Sequence, residues 1–170
     1  LTKNIASLTE IGEEGRRLLT IVDRTKLERV LARMLDSTEF LSDYGLRSLS
    51  KQHAEHPFEF RNDGSVFTVR YEPAESSLGI FGGNSNWRGP IWFPVNYLML
   101  ESLQKYHHYY GDTLKVELPT GSSRWANLDE VAREIGRRLV RIFLADPFHG
   151  NRRAVLGGVE LFQNDPHWRD

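Results

Sequence analysis

A mainly helical chain with one small β-hairpin is what this sequence predicts, and three observations carry that expectation. Two stretches keep a clean helical period, a third between them is apolar on more than one face, and only one segment alternates as strands do. With 39% hydrophobic and 26% charged residues, the 170-residue chain has a globular composition rather than a disordered, collagenous or membrane-spanning one.

The first stretch places Leu27, Val30, Leu31, Met34 and Leu35 on one stripe, and Thr25 with Glu28 three residues later reads as a capping box. A helix is expected from about 26 to 41. The segment His56 to Glu72 alternates instead: Phe58 and Phe60 with polar neighbours, then the turn residues Asn62, Asp63 and Gly64, then Val66, Phe67, Val69 and Tyr71. That is a hairpin. A helix from Pro94 to Tyr110 starts with a proline in its first turn and stops at Gly111. Its Val95, Tyr97, Leu98, Met99, Leu100 and Leu103 surround more than one face, so it should be an inner helix covered on several sides. The last helix, about 127 to 145, carries Leu128, Val131, Ala132, Ile135, Leu139, Ile142 and Phe143 on its stripe. Asn127 and Glu130 cap its start, and Pro147 follows its end.

A long loop from Glu72 to Pro90 holds Gly79, Gly82, Gly83 and Gly89. Loops of this length in a compact domain are uncommon unless functional or disordered, and this one is too aromatic for disorder. It reads as a site loop. The helices are too few to cover an inner helix, which points to a fragment of a larger domain.

The charge balance, 22 Lys and Arg against 23 Asp and Glu, leaves a net charge of -1 and no footprint for nucleic acid or an anionic membrane. Neither is expected as a partner. Without cysteine there is no disulfide framework or thiolate metal site, which fits a reducing compartment. No signal pattern follows Leu1, so a cytoplasmic location is expected, with the natural start of the chain upstream.

Chemistry concentrates between 81 and 110. Phe81, Trp87, Trp92, Phe93, Tyr97, Tyr106, Tyr109 and Tyr110 are interleaved there with Asn84, Ser85, Asn86, Arg88 and Asn96. Sugars offer C–H patches to aromatic faces and hydroxyls to donors and acceptors, so the cluster suits a carbohydrate pocket. An aromatic core with a polar loop at its mouth remains the other reading. Glycoside hydrolysis needs two carboxyl groups, roughly 6.5–9.5 Å apart for inversion or about 5–5.5 Å for retention. Glu72 and Glu75 are the nearest in sequence, and solvent exposure or loop capping would equally account for them. His53 and His56 lack a HExxH context and read as surface residues. His107 and His108 diverge by roughly 100° on a helix and cannot share an ion, so one of them packs or faces a cleft. No metal or other cofactor is expected. Arg133, Arg137, Arg138 and Arg141, paired with Glu130 and Glu134, read as a solvated or partner face.

The run from Tyr71 to Ser76, and then Gly79-Ile80-Phe81-Gly82-Gly83-Asn84-Ser85-Asn86-Trp87-Arg88-Gly89-Pro90-Ile91-Trp92-Phe93-Pro94-Val95-Asn96-Tyr97, resembles glycoside hydrolase family 63 in its bacterial glucosidase or mannosyl-oligosaccharide glucosidase-like branch. The likeness continues through residues 40–45, 107–112, 119–121 and 165–170. It implies the C-terminal part of a catalytic (α/α)6 barrel that cleaves terminal α-glucosidic bonds of oligosaccharides or small glucosides with inversion. Asn84, Asn86, Trp87, Arg88, Gly89, Trp92 and Asn96 then become substrate-binding residues. The resemblance places the general acid upstream of Leu1 and the general base beyond Asp170, leaving Glu72 and Glu75 as local substitutes. Trehalose or mannosylglycerate specificity on the same barrel, and a non-catalytic carbohydrate-binding module, are the rival readings.

Overall fold

The computed structural model describes residues 11–72, 90–147 and 150–169. Three long helices carry the core: α1 (Arg24–Met34), α2 (Phe93–Tyr110) and α3 (Leu128–Arg141). Two-stranded antiparallel sheets fill the connections: β1 (Leu41–Ser42) with β2 (Gly45–Leu46), β3 (Phe58–Asn62) with β4 (Ser65–Val69), and β5 (Lys115–Glu117) with β6 (Trp125–Asn127). A fourth pair, β7 (Ala145–Asp146) with β8 (Arg152–Arg153), precedes the short helices α4 (Glu160–Asn164) and α5 (Pro166–Arg169). The chain is mainly helical, as expected.

Helix α3 starts where its sequence says it should. Asn127 accepts the Glu130 N–H at 2.9 Å while Glu130 accepts the Asn127 N–H at 2.8 Å. The reciprocal bonds satisfy two donors that a helix start leaves open. Leu128, Val131, Ala132, Ile135 and Leu139 are buried, but the helix ends at Arg141 rather than 145 and leaves Phe143 half exposed. Helix α2 follows the expected bounds, with Pro94 in its first turn and Gly111 closing it at φ 55°.

Helix α1 departs from expectation at both ends. Its cap is Asp23, which accepts the Lys26 N–H at 2.8 Å, while Glu28 is drawn to Arg24 at 2.9 Å and cannot close a box with Thr25. At the far end Asp36 accepts from the Thr38 N–H and hydroxyl, both at 2.7 Å. Such local side-chain bonds compete with helical ones. Thr120, in the β5–β6 connection, then donates its hydroxyl to Ala32 O at 2.7 Å and its N–H to Leu35 O at 3.0 Å. Carbonyls that the helix end would otherwise orphan are thereby satisfied.

The β3–β4 hairpin forms where it was expected. Asp63 and Gly64 both take positive φ, the geometry a two-residue turn needs to match strand twist. The β5–β6 hairpin was not expected, because its strands are only three residues long.

The core joins Leu27 and Leu31 of α1 and the adjoining Leu35 to Leu103, Tyr109 and Tyr110 of α2 and the α3 stripe. Val30 is 57% exposed although it belongs to the sequence stripe. Helix α2 was expected to be covered on several sides, yet among the described residues it is covered on one. Phe93, Tyr97, Leu98 and Met99 stay exposed, Phe93 meeting the edge of Phe143 at a 6.1 Å ring separation.

The basic face of α3 also differs from the sequence reading. Asp129, not Glu130, pairs with Arg133, and Glu134 receives both Arg137 and Arg138 at 2.8 Å. Arg138 is not solvated: its side chain is only 12% exposed and donates to Ser42 O at 2.7 Å. The Arg137 guanidinium bonded to it is the largest influence holding the Glu134 carboxyl well down, to about 2 against an ordinary 4.5; burial opposes this, and Arg138 adds to it. A depressed carboxylate contributes stability that is complete above its unfolded value and is lost as pH falls through the folded one. Acid titration of unfolding should therefore show a stability loss between about pH 4.5 and about pH 2 that Glu134→Gln flattens.

Gly45 takes φ 114°, and a Cβ there would lie 2.7 Å from Leu139 Cδ2 and 3.0 Å from Asn96 Oδ1. Conformational strain and collision act together. Gly45→Ala should cost about 1–3 kcal/mol in urea unfolding, with a larger loss for Gly45→Val.

Candidate functional site

A groove of about 810 Å³ runs between α1 and the first half of α2. Helical spacing builds both walls: Lys26, Val30 and Met34 recur every fourth residue on α1, and Trp92, at the cap of α2, is followed at spacings of three and four by Val95 and Met99. Phe40, Leu46 and Ser48 contribute the floor. The lining is largely aliphatic, and Lys26, Arg29, Arg33 and Arg47 form a cationic rim. Two of these cations are held in place. Arg33 pairs with Glu39, and Arg47 donates to Ser37 O and Glu39 O at 3.1 Å and to Leu41 O at 2.7 Å.

Two sequence-predicted residues meet at this groove. Trp92 is half-buried and stands at the start of α2, and Asn96 lies one turn further on. Asn96 is 2% exposed and its amide is fully engaged. Oδ1 accepts the Leu46 N–H at 2.7 Å, and Nδ2 donates to Leu46 O at 3.0 Å and Trp92 O at 3.1 Å. Both donor hydrogens are thus spent on backbone.

Asn84, Asn86, Trp87, Arg88, Gly89 and Glu75 lie outside the described residues. Glu72 is partly buried and does not line the groove. Among the described residues no carboxylate lines the groove, and no three His, Asp or Glu side chains gather as a metal site would need. No described helix is long and apolar enough to cross a membrane.

The histidines separate. His53 Nδ1 lies 2.9 Å from His56 O, an exposed local contact. His108 is exposed, whereas His107 packs with its Nδ1 buried and no hydrogen-bond partner among the described residues.

One residue beside the groove escaped the sequence reading. Glu39 is 5% exposed and engages Arg33 through Oε1 and the Ser50 hydroxyl, at 3.0 Å, through Oε2. No periodicity marks it, since it sits in the turn that follows α1 and gains its partners from residues 33 and 50.

Residues 18–145 match the family model described as the mannosylglycerate hydrolase MGH1-like glycoside hydrolase domain. The chain is 49% identical over 169 residues to the uncharacterized protein YMR196W of Saccharomyces cerevisiae, covering 99% of this chain and 15% of that protein. It is 36% identical over 83 residues to the mannosyl-oligosaccharide glucosidase of the same yeast, covering 48% of this chain and 7% of the relative. The chain therefore spans only a small part of either relative. No solved structure matches it. The family model covers more than half of the chain, including the groove and all three long helices, and its agreement with the glucosidase likeness supports a family 63-like assignment: the chain belongs to the MGH1-like glycoside hydrolase domain family.

Proposed function

We propose that this chain is the C-terminal part of an (α/α)6 glycoside hydrolase domain and forms one wall of its sugar pocket. The complete domain hydrolyses terminal α-glucosidic bonds of oligosaccharides or small glucosides with inversion. The observation that carries this reading is Trp92, half-buried at the start of α2 and lining the groove inside the matched family domain. An indole there offers a stacking face to a pyranose ring. Beyond the cationic rim the described lining is mostly apolar, so further polar contacts come from Asn84, Asn86 and Arg88, as the resemblance implies. The uncovered face of α2 fits an inner helix that other barrel helices would enclose.

Inversion needs a protonated carboxyl at the leaving oxygen and an ionised one behind a water, roughly 6.5–9.5 Å apart. On this reading both come from outside the chain, and its own residues bind and orient. Mannosylglycerate is the second reading, favoured by the family's description and by the cationic rim, which suits a substrate carboxylate.

The test is turnover by the full-length polypeptide on p-nitrophenyl α-D-glucopyranoside, α-linked glucose disaccharides, trehalose and mannosylglycerate, with the anomer first released followed by NMR. The expected product is β-glucose. Saturable sugar binding without turnover would instead make the protein a carbohydrate-binding module. The isolated 170-residue chain should hydrolyse none of these sugars; turnover abolished by Glu72→Gln or Glu75→Gln would make those carboxylates catalytic.

Trp92→Ala should lower kcat/KM of the full-length enzyme by at least about tenfold through lost orientation. Thermal unfolding is the control, because removal of a wholly core tryptophan would cost about 3–5 kcal/mol. Normal turnover per folded molecule would place Trp92 in the core.

A further inference from the structure

We propose that Asn96 is a positioning residue for Trp92: its carboxamide fastens the first turn of α2 to the backbone of Leu46 and so sets where the indole stands in the groove. The kinetic consequence rests on the glycoside hydrolase reading, while the positioning rests on geometry alone.

Leu46 lies on β2, the edge of a two-stranded pair whose outward N–H and C=O have no third strand to meet. The Asn96 amide acts as that strand, accepting the N–H at 2.7 Å and donating to the C=O at 3.0 Å. Its second amide hydrogen goes to Trp92 O at 3.1 Å. Helix α2 has no side-chain cap, so this bond secures the residue from which the indole projects. A parallel bond runs alongside, from the Ser48 N–H to Pro90 O at 2.8 Å. Residues 46–48 therefore grip both sides of Trp92, at 90 and at 96.

The strap itself is anchored. Arg138 of α3 holds Ser42 O, Arg47 holds three carbonyls between 37 and 41, and Gly45 leaves no room for a Cβ between Asn96 and Leu139. Asparagine is specific here in chemistry. Aspartate lacks both donors, and glutamine reaches one methylene too far for a helix already in contact. A buried amide with both hydrogens spent on backbone has none left for a sugar hydroxyl. Asn96 thus influences the sugar through Trp92.

The experiment uses the full-length polypeptide labelled with 5-fluorotryptophan, the Trp92 fluorine resonance being assigned by its loss in Trp92→Phe. Asn96→Ala should shift or broaden that resonance and leave those of Trp125 and Trp168 in place. On p-nitrophenyl α-D-glucopyranoside it should lower kcat/KM at least about tenfold, and the double variant with Trp92→Phe should be no worse than Trp92→Phe alone. An unmoved Trp92 resonance, or kinetic penalties that add in full as two separate sugar contacts would, overturns the proposal. If Asn96→Ala does not fold, Ser48→Pro removes the N–H of the parallel bond to Pro90. It should displace the same resonance by a smaller amount, and an undisturbed one again overturns the proposal. If the wild-type polypeptide turns over none of the sugars, the glycosidase reading fails and the fluorine spectrum alone decides the positioning.

Discussion

The arrangement depends on two polar side chains that leave a pair of packed helices to hold one short piece of backbone. Asn96 from α2 and Arg138 from α3 both reach residues 41–48, one at Leu46 and the other at Ser42. Helix packing alone fixes how α2 and α3 lie against each other, and its contacts are non-directional. Hydrogen bonds to backbone are directional, so these two side chains convert the helix pair into a fixed seat for the hairpin. Everything at the groove follows from that seat. Its floor is the hairpin's Leu46 and the adjoining Ser48, and one of its walls is the helix that the hairpin grips.

The same geometry explains how a largely charged face on α3 serves the interior. Arg138 can be largely buried because its partners repay the desolvation of a guanidinium: Glu134 neutralises it, and Ser42 O takes another donor. Glu134 is shared between two arginines, which is why its carboxyl is held so far down. By contrast, the Lys26–Asp23 pair at the start of α1 is half exposed, and a surface pair of that kind contributes little. Position, not the number of ion pairs, decides how much a charged side chain contributes.

What was legible in the sequence was whatever is encoded locally. The α3 capping box, the proline and glycine bounding α2, and the Asp63-Gly64 turn each depend on residues within four positions of one another, and each formed as read. The end of α1 was misread because Thr120 and Arg47, distant in sequence, draw the chain off the helical path beyond Met34. Arg138 and Glu39 were illegible for the same reason, since their burial comes from partners on other elements. The site was legible as a segment and not as geometry. The aromatic and asparagine cluster drew attention to Trp92 and Asn96 together, but only the Leu46 backbone distinguishes an indole that lines the groove from an amide whose hydrogens are spent.

That distinction bears on what a wall without carboxylates contributes to hydrolysis. No described carboxylate lines the groove, so on the glycoside hydrolase reading its contribution is orientation. In an inverting reaction the sugar must sit so that the bond to be cleaved falls between two carboxyls with space for one water. The residue that fixes the ring therefore fixes which bond is cut, and an error of about 1 Å costs on the order of a hundredfold. The Trp92 indole stands at the cap of an 18-residue helix whose first turn is bonded to a hairpin that two arginines hold, so rigid elements place it. On the glycoside hydrolase reading, orientation would thus come from backbone hydrogen bonds beneath the groove, with the aromatic surface above them transmitting it.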